Sequence, residues 1–139
     1  MASHERTRDT TAAPAKVWEI WSNTATWPQW NPDVQAITLD GPFQTGTTGS
    51  MTTGNGTHSI ALDNVVPGRS FELVTSPAPA STFHFHCEVA PSGSGSRISQ
   101  SVRMSGPLGP VFSLLMGGRI ARSFDPILNG LAEAAEHGK

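Results

Sequence analysis

The spacing of apolar and polar residues changes along the chain, and each change marks an element. Residues 3–11 (SHERTRDTT) are polar and read as a first strand. Pro14 then suits the first turn of a helix, where its missing N–H is not needed. Val17, Trp18, Ile20 and Trp21 follow at helical spacing, with Val17, Trp18 and Trp21 on one face. Thr24 to Trp30 predicts a second short helix or turn, limited by Pro28 and Pro32.

From Asp33 onward the residues read as strands. Val34 to Leu39 is a strand, Asp40-Gly41-Pro42 a turn, Thr47 to Thr53 a strand, and Gly54-Asn55-Gly56 a hairpin turn. His58 to Val66 is a strand with Ile60 and Leu62 on one face, and Pro67-Gly68 turns the chain into Arg69 to Thr75. Ser76 to Ser81 is a loop. Thr82 to Ala90 alternates, with Phe83, Phe85, Cys87 and Val89 on one face and His84, His86 and Glu88 on the other. Pro91 to Ser96 is a flexible hairpin loop, and Arg97 to Ser105 a last strand with Ile98, Gln100, Val102 and Met104 together. The remainder is helical: Met116, Ile120, Phe124, Ile127 and Leu131 form one apolar stripe. Gly117-Gly118 is expected to separate a short lead-in helix from the main one. Pro126 should kink the helix, or restart it with Asp125 as N-cap.

This order, a strand, two short helices, about six strands and a long helix, has no βαβ alternation. It predicts an α+β domain in which one curved antiparallel sheet wraps the C-terminal helix, since only that helix can cover the apolar sheet face. The first strand is an anomaly, with Thr7, Asp9 and Thr11 on one face and Arg6, Arg8 and Thr10 on the other. An inward Asp9 or Arg8 needs a partner, because an unpaired buried charge is costly. Arg103 serves Asp9 if the two share a face; otherwise the strand is solvated.

Composition narrows the function. At 139 residues the chain fits one domain, 1–139, with a real core. A net charge of -2 gives no basic stripe for nucleic acid or for an anionic membrane surface. No apolar run approaches the ~20 residues of a membrane span, and the first residues lack a signal-peptide core. Cys87 is the sole cysteine, so neither an intramolecular disulfide nor a thiolate zinc cage can form, which fits the cytoplasm.

Few residues carry obvious chemistry. His84 and His86 share a face, but Phe83, Phe85 and Cys87 claim the interior, so the histidines are expected outside and no metal is called for. His58 and His137 read as surface groups. Cys87 reads as a small buried hydrophobe. The glycines sit in hairpin turns and form no phosphate loop, and no cofactor is implied. Gln100 shares an apolar face and must find a partner there or on a ligand.

The stretch Ala13-Pro14-Ala15-Lys16-Val17-Trp18, followed by Trp27-Pro28-Gln29-Trp30-Asn31-Pro32, resembles the opening of the polyketide cyclase/dehydrase branch of the START-like (SRPBCC) superfamily. Val66-Pro67-Gly68-Arg69, Ser105-Gly106-Pro107-Leu108-Gly109-Pro110 and Gly117-Gly118-Arg119-Ile120 extend the resemblance over nearly the whole chain. It implies a helix-grip fold with a cavity between sheet and helix, and members that bind lipids, sterols, hormones or polyketide intermediates. It supplies no invariant catalytic set.

The expected pocket takes Phe71, Leu73, Phe83, Phe85, Cys87, Gln100, Val102 and Met104 from the sheet. Phe112, Met116, Ile120 and Phe124 come from the helix side, with Trp27 and Trp30 near the mouth. Three functions fit: binding of an apolar small molecule, a cyclase/aromatase reaction on a poly-β-ketone, or an interaction module with a filled core. The cyclase needs an acid/base group inside the cavity, which Gln100 cannot be, so binding is favoured.

Overall fold

The computed structural model describes residues 4–54, 56–76 and 82–137, without the side chains of residues 112, 113 and 117. The expected turn residue Asn55 and most of the expected loop, residues 77–81, lie outside the described residues.

Strand β1 (His4–Thr10) leads into helix α1 (Pro14–Trp21), and a single 3-10 turn (Thr24–Thr26) runs into α2 (Trp27–Trp30). Six strands follow: β2 (Ala36–Leu39), β3 (Thr48–Thr53), β4 (Gly56–Val66), β5 (Ser70–Thr75), β6 (Thr82–Ser92) and β7 (Gly95–Ser105). Helix α3 (Gly109–Glu136) closes the chain. The strands form one antiparallel sheet in the order β1-β7-β6-β5-β4-β3-β2. The first two strands are therefore its opposite edges, and α1 and α2 carry the chain from one edge to the other. This is the α+β helix-grip fold, with the long helix laid on a curved sheet.

Side-chain alternation gives the sheet an apolar concave face. On it lie Ile60, Leu62, Phe71, Leu73, Phe83, Cys87, Val89, Ile98 and Val102, all buried. From the other side come Val17, Ile20 and Trp21 of α1, Trp27 and Trp30 of α2, and the α3 stripe Ala121, Phe124, Ile127, Leu128, Leu131, Ala132 and Ala135. Burial of this surface is the main stabilising term.

Three local expectations are corrected. Helix α3 is continuous through Gly117-Gly118 and does not restart at Pro126. Pro126 removes one backbone hydrogen bond, but the buried residues Phe124, Ile127 and Leu128 on either side hold both halves to the sheet. Asp125 caps nothing and instead lies 3.7 Å from Arg6. The expected loop Pro91–Ser96 is a two-residue turn, with Ser92 paired to Gly95. Gly93 makes it possible, adopting φ 59 at the first turn position without the penalty other residues incur.

Strand β1 resolves its own anomaly by turning Arg6, Arg8 and Thr10 toward α3. Arg8 donates to Asn129 Oδ1 at 2.5 Å, and the Thr10 hydroxyl donates to Glu136 at 2.7 Å. That hydrogen bond holds the Glu136 carboxyl below its ordinary value. Asp9 faces outward and pairs with Arg97 at 2.9 Å, not with Arg103, because the β1–β7 register sets Asp9 opposite Arg97.

Candidate functional site

The strand registers arrange the concave face in cross-strand rows. One row runs Arg6, Gln100, Cys87, Phe71. The next runs His4, Val102, Phe85, Leu73, Leu62. A third runs Met104, Phe83, Thr75, Ile60, Gly49, Leu39. Beyond it lie His58, Met51 and Ile37.

Helix α3 runs diagonally to these rows. A Cβ on Gly109 would sit 2.9 Å from the Met104 carbonyl oxygen, so the helix starts at the Met104 end of β7. Its later turns lie over β1, where Asp125, Asn129 and Glu136 meet Arg6, Arg8 and Thr10 in that order. Phe124 meets the Phe85 ring edge-on at 6.2 Å. From Ala121 onward the helix buries an apolar stripe; between Pro110 and Arg119 every described side chain is exposed. The sheet is thus tightly covered at one end and loosely at the other, where Phe85, Met104, Ile120 and Met51 remain half-buried.

The structure distributes the expected pocket residues unevenly. Leu73, Phe83, Cys87, Val102 and Phe124 are buried, and Phe85, Gln100, Met104 and Ile120 are half-buried. Phe71 belongs to a different place. It is 1% exposed, and its ring meets Phe43, Trp21, Trp18 and Trp27 at centroid distances of 5.0, 5.3, 6.1 and 6.2 Å. This aromatic cluster fills the concave space beneath α1. Trp27 and Trp30 are buried rather than exposed at a rim: the Trp27 indole donates to the Trp21 carbonyl at 2.9 Å, and the Trp30 backbone lies against Gly130 while its Nε1 is buried without a hydrogen-bond partner. Met116 is 37% exposed, more open than the half-buried Ile120 one turn later and far less open than Leu114 and Leu115. The Phe112 side chain lies outside the described residues.

One residue read as a surface group belongs to the concave face. His58 is half-buried opposite Met51, while its neighbours Thr57 and Ser59 are exposed on the convex side. Its Nε2 is buried without a hydrogen-bond partner. The period-two pattern through Ile60 and Leu62 places His58 on the same face, so the signal was present in the sequence.

Residues 1–136 match the model of the family described as polyketide cyclase / dehydrase and lipid transport. The chain belongs to that family. Among solved structures, norcoclaurine synthase from Thalictrum flavum is similar at TM-score 0.76 and 14% identity, over 99% of this chain and 95% of that one. TTHA0849 from Thermus thermophilus matches at TM-score 0.75 and 12% identity, over 99% of each chain. DynU16, described as a putative protein in the dynemicin biosynthetic locus, matches at TM-score 0.73 and 18% identity, over 97% of this chain and 47% of that one. At such identities the likeness establishes the shared fold. None of the curated proteins matches the chain by sequence.

The convex face of this family member carries a polar cluster. Glu72 lies 4.0 Å from His84 Nδ1 and 3.4 Å from His86 Nδ1, and His86 Nε2 lies 3.1 Å from Glu88. Both histidines are outside the core, but His84 and Glu72 are only 18% and 14% exposed. Burial, followed by the nearby Arg103 charge, pushes His84 below the ordinary imidazole value; Glu72 and Asp63 oppose the shift. His86 has both ring nitrogens engaged by carboxylates, and among the described residues no three ligand groups are placed to hold a metal ion. Burial pushes the Cys87 thiol far above its ordinary value, so it remains protonated and unreactive. No described helix is long and apolar enough to cross a membrane.

Proposed function

We propose that the protein binds a hydrophobic or amphipathic small molecule, lipid or polyketide-like, at the loosely covered end of the concave face. The half-buried Phe85, Met104, Ile120 and Met51 form its apolar wall, over a floor of Leu73, Phe83 and Val102. The observation that carries this reading is His58 Nε2. A buried polar atom without a partner costs free energy, and a ligand hydroxyl or carbonyl at that end of the sheet would satisfy it. Apolar walls with a few polar groups describe small-molecule sites in general, and the two methionines let the wall adapt to its guest. Norcoclaurine synthase, similar in fold, is known in complex with dopamine and hydroxybenzaldehyde, which supports a small-molecule ligand here.

Native mass spectrometry of the purified protein, followed by extraction of whatever is bound, tests the proposal. A stoichiometric apolar molecule that is lost or weakened in His58→Phe supports it. A protein that is empty and ignores fatty acids, sterols and aromatic polyketides overturns it.

His58 also favours a second reading, a cyclase/aromatase acting on a poly-β-ketone. An imidazole inside an apolar site can move a proton between carbon and oxygen, the acid/base role that Gln100 cannot fill. Turnover of a diketide or longer surrogate, measured against pH and lost in His58→Gln, supports this reading; a rate no faster than buffer refutes it.

A further inference from the structure

The exposed half of α3 has a composition and a geometry that the small-molecule site does not use. Val111, Leu114 and Leu115 are 49%, 86% and 71% exposed, and Leu108 just before the helix is 40% exposed. Large aliphatic side chains scattered singly on a surface need no explanation, but a contiguous group on one helix segment does. Val111, Leu115, Arg119 and Arg122 stand at i, i+4, i+8 and i+11, so the apolar strip ends in two arginines on its own face.

Arg122 leans toward that strip. A Cβ on Gly118 would lie 3.8 Å from Arg122 Nη1, which puts the guanidinium back over Gly118, one turn nearer to Leu114. Both arginines are exposed, and neither makes an ion pair among the described residues. No Asp or Glu occurs between Glu88 and Asp125, and Asp125 is engaged by Arg6. The first turn of α3 contains no acid and has no side-chain cap, so the positive end of the helix dipole is left uncompensated beside the leucines. The chain as a whole carries -2, yet this end of it is locally cationic and apolar together.

We infer that the N-terminal half of α3 docks on an anionic lipid surface. Leu114, Leu115 and Val111 would enter the boundary between headgroups and acyl chains, and Arg119 and Arg122 would reach the lipid phosphates. An amphipathic helix with basic residues beside its apolar strip binds bilayers in this way, by apolar burial plus attraction to anionic lipid. A second copy of the chain fits the patch less well. Parallel pairing would set the arginines against their counterparts, and antiparallel pairing would set them against the positive end of the other helix. The inference does not depend on the proposed ligand, because every residue it uses lies outside that site.

Co-sedimentation of the full chain with vesicles of phosphatidylcholine containing a quarter phosphatidylglycerol tests it. The protein should bind these vesicles, bind pure phosphatidylcholine more weakly, and lose affinity as salt rises. Leu114→Ser with Leu115→Ser should lower binding about tenfold or more. Arg119→Gln with Arg122→Gln should weaken it about fivefold per arginine on the anionic vesicles only. Both pairs are exposed, so far-UV circular dichroism and Tm should be unchanged. Wild-type protein that stays in the supernatant overturns the inference, as does binding that both double variants retain. So does a wild-type dimer in sedimentation velocity that the leucine variant dissociates, since the patch would then be covered by a second copy.

Discussion

Phe71 is the side chain on which the concave aromatic cluster turns. It is 1% exposed and in ring contact with Trp18, Trp21, Trp27 and Phe43, three of the four contacts being edge-on or nearly so. Truncating a buried Phe to Ala costs about 3–5 kcal/mol through lost transfer energy and the cavity left behind. Each edge-to-face pair adds about 0.5–1.5 kcal/mol beyond area, but the pairs share one ring and cannot be summed. The upper end of the range, about 4–5 kcal/mol, is therefore expected for Phe71→Ala. Phe71→Leu, which keeps most of the volume and loses the rings' geometry, should cost roughly 1–2 kcal/mol. A domain of this size has about 5–15 kcal/mol in all, so the alanine variant should fold with a much lower urea midpoint. Urea unfolding followed by tryptophan fluorescence reads the cluster directly, since Trp18, Trp21 and Trp27 surround the site. A loss below about 2 kcal/mol with unchanged m would refute the reasoning: the rings would then border an opening instead of filling the core, and the ligand space would extend beneath α1.

Three further outcomes follow from single contacts. Gly130→Ala should destabilise the fold by about 1–3 kcal/mol in the same urea assay, because a methyl there overlaps the Trp30 carbonyl and either α2 or α3 must move. Cys87 should resist a thiol reagent in the native protein and react at once in denaturant, since its thiol is buried and held protonated; rapid native labelling would place it at an open site. His84, with its folded pKa below its unfolded value of about 6.5, binds its proton more readily when the chain is unfolded. Stability should therefore rise with pH through the window from the folded pKa up to about 6.5 and be lost below it; His84→Gln should flatten that part of a stability-versus-pH profile and leave the rest.

The sheet was legible because the inner positions of β6 and β7 alternate regularly. Phe83, Phe85, Cys87 and Val89 on β6 and Ile98, Gln100, Val102 and Met104 on β7 all lie on the face assigned from period two. What the pattern could not give was how far the helix covers that face. Met116 continues the four-residue stripe of Ile120 and Phe124, yet it is 37% exposed where Phe124 is 1%, because helical spacing fixes which side a residue takes and not how closely the sheet covers it. The burial of Trp27 and Trp30 was not legible for a related reason: proline-bounded aromatic turns look alike whether they lie at a rim or in a core, and the Trp27 hydrogen bond to Trp21 ties that ring inward. Histidine is common on surfaces, so His58 reads as exposed by residue type, whereas Ile60 and Leu62 on its own strand mark its concave face. In β1 the sequence offered two charged faces of equal merit, and only the register with β7 chose between them.

That polar strand explains how α3 can be both anchored and exposed. An apolar first strand would attract the helix along its whole length, and the first turns would tend to settle onto the sheet. Arg6, Arg8 and Thr10 instead fix three points, Asp125, Asn129 and Glu136, all in the C-terminal half. Such contacts are individually weak at a partly exposed site, but they set the helix axis, and the buried stripe from Ala121 to Ala135 supplies the energy. Before Ile120 the described side chains of α3 from Pro110 onward are exposed, so Val111, Leu114 and Leu115 can meet another surface while the C-terminal half stays on the sheet. The half-buried Phe85, Met104 and Ile120, where the ligand is proposed to bind, lie at the same end. An apolar ligand leaving a bilayer docked there would enter the concave face with little exposure to water, which is where the hydrophobic cost of transfer is otherwise highest.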